Sequence, residues 1–206
     1  MTGSPRYPIP ADSHRVEEEI QRSRFITTLA PAGSVEEAQA AIDAVRREFP
    51  DATHHCWAYV VGPPGSSDRV GMSDDGEPHG TAGRPMLKVL SHGGVGDVVA
   101  VVTRYYGGTK LGKGGLVRAY GGGVQQALAS LAVVEKIAYR RVKLFLDYGH
   151  VAACRRLAEA LQVCFLHETY AVDVAFELAV PVDAAEAFET RLRQLSNGRY
   201  LLEPLD

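Results

Sequence analysis

The sequence predicts an α+β protein of two small domains, residues 1–134 and 135–206. Three observations predict it. The continuous apolar run Asp97–Thr103 (DVVAVVT) requires a strand covered on both faces. Amphipathic helical stripes precede and follow that run, so sheet and helices share one core. After Glu135 the pattern turns into strand, helix, strand, strand, helix, strand, the ferredoxin-like order βαββαβ. With 206 residues, 46% of them hydrophobic, the chain is long enough to bury both cores.

The N-terminus, MTGSPRYPIPADSHRVEEE, is polar and proline-rich, without an apolar signal core. It reads as a loose lead-in of about a dozen residues. Ile20–Ala30 is predicted as a strand from its β-branched and aromatic content. Pro31-Ala32-Gly33 turns the chain. Ser34 then caps a helix, and Glu37 completes a capping box. Ala38, Ala41, Ile42 and Val45 form its apolar stripe, and Pro50 ends it. His55–Val61 is the next strand, followed by the flexible loop Gly62–Gly71 and the polar, glycine-rich SDDGEPHGTAGRP. Met86, Leu87, Val89 and Leu90 suggest a short helix.

Beyond the Asp97–Thr103 strand, RYYGGTKLGKGG reads as a loop. Leu116, Tyr120, Val124, Leu128 and Leu131 recur at near-helical spacing. Gly121, Gly122 and Gly123 interrupt that helix, at about 1 kcal/mol each relative to alanine. Close packing of the helix backbone on the sheet would offset the cost. In the second domain, Lys136–Asp147 alternates as a strand. His150–Leu161 forms a helix with Val151, Cys154, Leu157 and Leu161 inward. Val163–His167 and Tyr170–Val180 form a hairpin, and Asp183–Leu195 is a helix stopped at Asn197-Gly198. Arg199–Glu203 is the last strand. The boundary near Val134 has no linker composition.

Net charge is -3, which excludes a chain coated in basic residues; sequence-independent nucleic-acid binders usually have a domain pI above about 9. The charge is uneven, however. Between Asp97 and Glu135 there is no acidic residue, and Arg104, Lys110, Lys113 and Arg118 all fall there. Any anion site is expected in that stretch. The three cysteines, Cys56, Cys154 and Cys164, are odd in number and form no CxxC, so reduced thiols in a cytoplasmic protein are expected. No run of about 18 apolar residues exists, so no membrane span or membrane partner is expected.

Three constellations could carry chemistry. His54-His55-Cys56 with Asp74-Asp75-Gly76-Glu77-Pro78-His79 offers the ligand types zinc prefers. It lacks a fixed-spacing ligand pair, and its acidic loop equally suits backbone hydrogen bonding. No metal and no other cofactor is expected. Gly107-Gly108-Thr109-Lys110-Leu111-Gly112-Lys113-Gly114 follows a strand and opens a helix, as a phosphate loop does. It matches GxxxxGK, yet Gly114 stands where the hydroxyl that would hold magnesium belongs. Anion contact is expected of it, with glycines bent only for packing as the alternative. Finally, Trp57, Tyr59, Tyr105, Tyr106 and Tyr120 interleave with the basic residues and could stack bases or simply fill the core. No GxSxG elbow and no early GxGxxG is present.

Taken together, HHCWAYVVG, SDDGEPHGTAGRPML, VVVTRYYGGTKLGKGGLVRAYGGGV and the βαββαβ tail resemble the IMPACT/YigZ family over nearly the whole chain. The resemblance implies an N-terminal ribosomal protein S5 domain 2-like domain, matched across roughly Ser23–Leu131, and a ferredoxin-like C-terminal domain. The pair is similar to the last two domains of the translocation elongation factor. The eukaryotic member regulates translation by competing for the activator of an initiation-factor kinase. It does so with an added RWD domain that these residues do not contain, so that specific role is not expected to carry over.

The reading that follows is a non-enzymatic binding module linked to translation regulation, contacting RNA, the ribosome or a translation factor. Its contacts are Arg104, Lys110, Lys113 and Arg118, with Gly107, Gly108, Gly112 and Gly114 forming the loop. His54, Asp74, Asp75, Glu77 and His79 shape the same surface. The alternative is an enzyme, metal- or phosphate-dependent and hydrolase-like, using His54, Asp74, Asp75 and Glu77 on a small substrate. A third reading is an adaptor that uses the C-terminal sheet edge.

Overall fold

The structure is a computed structural model, and it describes residues 6–205. It divides into two compact units, the first ending at Lys136 and the second beginning at Ile137.

The first unit is built on a five-stranded antiparallel sheet. Its strands are β2 (His14–Ile20), β3 (Ser23–Pro31), β4 (His54–Val60), β5 (Val70–Ser73) and β6 (Val98–Tyr105), in the order β2-β3-β6-β4-β5. The central strand β6 is buried along nearly its whole length. Its even-numbered residues Val98, Ala100 and Val102 face a core shared with α2 (Gly83–His92) and α3 (Gly112–Ala129). The odd-numbered Val99 and Val101 face α1 (Val35–Glu48), against Ala38, Ile42 and Val45. Helices on both faces explain why this strand reads as a continuous apolar run even though all its neighbours are antiparallel.

The Ser34 hydroxyl caps α1 by accepting from the Glu37 N–H at 3.1 Å. The Glu37 carboxylate reaches back one residue further than a capping box, to the N–H of Gly33 at 2.8 Å. In α3 the three consecutive glycines have different surroundings. A Cβ on Gly123 would stand 2.6 Å from the Thr27 hydroxyl of β3, so the helix backbone lies directly on the sheet there. Gly122 has nothing near it.

Several expectations need correction. The residues expected as a loose lead-in form strands where they are described: β1 (Arg6–Pro10) and β2. The leader's residues 1–5 lie outside the described residues. The strand predicted over Ile20–Ala30 is broken by a two-residue hairpin at Gln21 and Arg22, with φ of 48° and 66°. No glycine or asparagine marks that turn, which is why the pattern ran through it. The end of the expected Gly62–Gly71 loop is already the edge strand β5. Finally, the Lys136–Asp147 strand is two strands. β7 (Val133–Ile137) pairs with β1, and β8 begins after Ala138.

The second unit has the βαββαβ order: β8 (Tyr139–Leu146), α4 (Val151–Ala160), β9 (Cys164–Tyr170), β10 (Val174–Pro181), α5 (Ala185–Leu195) and β11 (Tyr200–Pro204). Its sheet runs β11-β8-β10-β9, with the first and third strands central, as in ferredoxin-like domains. Val142, Leu144 and Leu146 of β8 and Phe176, Leu178 and Val180 of β10 face Cys154, Leu157, Phe188 and Leu192 of the helices. Asn197 and Gly198 both take positive φ, and the Gly198 N–H returns to the Arg193 carbonyl, closing α5.

Candidate functional site

The C-terminal end of β6 and the N-terminus of α3 enclose a pocket of about 490 Å3 in the first unit. Thr53, His54, Glu77, Pro78, Arg104, Tyr106 and the segment from Lys110 to Lys113 line it, with Leu116. The chain reaches this place through a tight approach at Gly107. A Cβ there would fall 1.9 Å from the Arg22 carbonyl oxygen, so only glycine fits. The Gly107 N–H donates to Ser23 Oγ at 3.2 Å and the Tyr106 N–H to Thr53 Oγ1 at 3.1 Å, which pins the start of the loop.

Helix α3 then begins at Gly112 with Leu111 at its N-cap position, without a capping side chain and without an acid in its first turn. An 18-residue helix thus presents uncapped N–H groups and the positive end of its dipole to the pocket. Lys110 and Lys113 stand exposed at this mouth, and among the described residues neither carries an ion pair. Tyr106, 45% exposed, supplies an accessible aromatic face in the pocket.

The floor is a buried ion pair. Arg104 Nη1 donates to Glu77 Oε1 at 2.5 Å, with both side chains almost fully enclosed. The Tyr120 hydroxyl donates to the same oxygen at 2.7 Å. The guanidinium lies 5.3 Å from the ring centroids of both Phe25 and Tyr106. Arg104, expected at the surface beside the lysines, is therefore a structural cation whose charge Glu77 already meets. Arg118, expected in the same cluster, lies in a separate groove with Glu18 and Gln21. The structure brings Lys110 and Lys113 together and leaves Arg118 apart.

The acidic loop is a scaffold for this wall. Both Asp74 carboxylate oxygens are taken: Oδ1 accepts from the N–H groups of Ala82 (3.0 Å) and Gly83 (2.9 Å), Oδ2 from that of Gly80 (2.7 Å). Burial alone would raise the Asp74 carboxyl, but these backbone donors outweigh it and hold the group below its ordinary value. The Asp75 carboxylate accepts from the His55 N–H at 2.7 Å and from Arg46 at 3.2 Å, at a positive φ of 42°. Its carbonyl meets His54 Nδ1 at 2.8 Å. Burial pushes the Cys56 thiol up to about 12, and its Sγ donates to the Asp74 carbonyl. His79 is fully exposed, 3.8 Å from Asp74. Of these residues His54 and Glu77 line the pocket, and Asp74, Asp75 and His79 do not. Among the described residues no three His, Cys, Asp or Glu side chains gather in a way that could hold a metal ion.

The aromatic residues disperse. Tyr120 is fully buried, Trp57 and Tyr59 stack on each other on the α1 side of the sheet, and Tyr105 binds Asp51. Thr53, which helps wall the pocket, carries no sequence signal. The pocket as a whole can receive an anion at the helix terminus between two lysines, with a flat ring beside it.

Comparison with known proteins places these residues in a family. The Impact N-terminal domain matches residues 21–128, and a domain of unknown function, DUF1949, matches residues 144–199. An IMPACT family member of Haemophilus influenzae is 44% identical over 200 residues, covering 97% of each chain. The IMPACT family member YigZ of Escherichia coli is 45% identical over 194 residues, 94% of this chain and 95% of its own. A crystal structure described as that of a hypothetical protein superposes with a TM-score of 0.71 at 43% identity, covering 98% of both chains. No helix among the described residues is long and apolar enough to cross a membrane.

Proposed function

The chain belongs to the IMPACT family, and from that premise we propose that it is a non-enzymatic, cytoplasmic binding module linked to translation that grips RNA, free or ribosomal, by its phosphates. One observation carries the reading: Lys110 and Lys113, which form no ion pair among the described residues, stand at the uncapped N-terminus of α3. A phosphate there gains two charge-assisted contacts and the backbone N–H groups of the first turn. The exposed ring of Tyr106 is positioned to stack a base next to it. These contacts are blind to sequence, so the module would recognise backbone and shape rather than a base order.

The carboxylates that hydrolysis would need are engaged in holding the fold, Asp74 by backbone donors and Glu77 by Arg104 and Tyr120. The test is binding of a fluorescent single-stranded RNA and co-sedimentation with ribosomes, each at several salt concentrations. Wild type is expected to bind both and a Lys110→Ala, Lys113→Ala double variant to bind weakly. Wild type without salt-sensitive binding to either, but with binding to an acidic translation factor, would replace RNA as the partner. Binding to none of the three would remove the proposal.

A further inference from the structure

A second concavity of the first unit, of about 820 Å3, runs between α2 and α3 and shares no lining residue with the lysine pocket. Its floor is apolar: Pro85 and Val89 from α2 face Val117 and Leu128 from α3. Gly121 opens it. A Cβ at that position would stand 3.7 Å from Pro85 and 3.8 Å from Val89, so any longer side chain would fill the space between the helices. Val117 is 40% exposed on this floor.

One wall is a ridge of basic residues. Arg84, Lys88 and His92 recur at four-residue intervals along α2 and all three are exposed. Among the described residues no acidic side chain lines the groove, and neither Arg84 nor Lys88 forms an ion pair. The arrangement is unfavourable within the chain itself. Like charges four residues apart on a helix repel, and Arg84 sits at the positive end of the α2 dipole, which has no acid in its first turn. A cationic ridge beside an apolar trough is complementary to a helix with an apolar stripe and a flanking row of carboxylates.

We propose that this groove docks an acidic amphipathic helix of another protein, with its apolar stripe on Pro85, Val89, Val117 and Leu128 and its carboxylates against Arg84 and Lys88. The ridge from Arg84 to His92 spans about 12 Å, so roughly two to three turns of the partner engage it. The apolar floor distinguishes this surface from a phosphate-binding one, where charge alone would suffice.

The probe is a synthetic helical peptide of about 18 residues, with leucines at helical spacing and glutamates flanking them, followed by fluorescence anisotropy. A scrambled peptide of the same composition is the control. The expected result is binding about tenfold tighter than the scramble, weakening with salt. Arg84→Glu with Lys88→Glu should lose that preference. So should Val117→Asp, and Gly121→Met, which fills the floor. Thermal midpoints near wild type establish that these variants fold. Lys110→Ala with Lys113→Ala should leave peptide binding unchanged, so a failure of the RNA reading is read separately. Equal affinity for both peptides would overturn the proposal. So would losses confined to the charge-reversal variant, which would mark mere attraction of anions. A concentration-dependent dimer abolished by Val117→Asp would assign the groove to a second copy of this chain instead.

Discussion

Replacing Glu77 by alanine tests how the floor of the lysine pocket is held. The carboxylate and Arg104 are enclosed to 4% and 6% side-chain exposure, and the pair is closed further by Tyr120. Alanine leaves a guanidinium buried without a counter-charge and the Tyr120 hydroxyl without its acceptor. Breaking a buried pair from one side costs about 3–5 kcal/mol, because the remaining charge cannot reach water. For a chain of this length that is about 6–20 °C in thermal midpoint. Removing both charges, as Glu77→Leu with Arg104→Met, should recover the part of the loss owed to the unpaired guanidinium, leaving only the Tyr120 hydroxyl without its acceptor. Urea unfolding of wild type, single and double variants measures all three. A Glu77→Ala variant within about 1 kcal/mol of wild type would show that Arg104 is not held by this pair. So would a double variant as unstable as the single one, since the loss would then come from packing rather than charge.

The Asp97 carboxyl, which burial alone would raise, is held below its ordinary value by Lys136, the Gly62 N–H and Tyr7. Its contribution is therefore complete above the ordinary aspartate range, near 3.8, and is lost as pH falls through the lower folded value. Urea midpoints across this acid limb should fall more shallowly in Asp97→Asn, which should also be the less stable protein at neutral pH. Iodoacetamide applied to the native protein should label the exposed Cys164. It should spare Cys56 and Cys154, whose thiols burial pushes up to about 12 and about 11. Peptide mass spectrometry reads this, and native labelling of Cys56 would contradict its burial. In α3, Gly122→Ala should stabilise by about 1 kcal/mol, as its site is open. Gly123→Ala should destabilise, because the new methyl group meets the Thr27 hydroxyl; thermal melts of the two variants should shift in opposite directions.

What the residues disclosed in advance depended on how local its cause was. Strand β6 is legible because its partners on both faces are apolar, and α1 because Ser34 and Glu37 sit at its first turn. The second unit follows from alternation and a helical stop signal that need no distant contact. The hairpin at Gln21-Arg22 was hidden, since neither residue is the usual choice for positive φ. The β1–β7 pair joins segments more than a hundred residues apart, and nothing local marks it.

The site divides in the same way. Lys110 and Lys113 were legible as cations without nearby acids. Arg104 looked the same in sequence, but its acid lies 27 positions earlier and meets it only through the fold. Arg118 follows Lys113 by five residues, about 140° around a helix, which turns it to a different groove. The α2–α3 groove is formed by two helices set side by side on one sheet face, and no single segment announces it.

Phosphate binding at the N-terminus of α3 makes RNA affinity depend on salt in a way that Lys110 and Lys113 set. Each phosphate contact to a single strand contributes about 0.7 to the slope of log affinity against log salt. Wild type and the Lys110→Ala, Lys113→Ala variant should therefore differ by about 1.4 in slope, with affinity reduced alike for every RNA sequence tried. A variant with an unchanged slope, or a wild type with no slope at all, would rule out phosphate binding at these lysines.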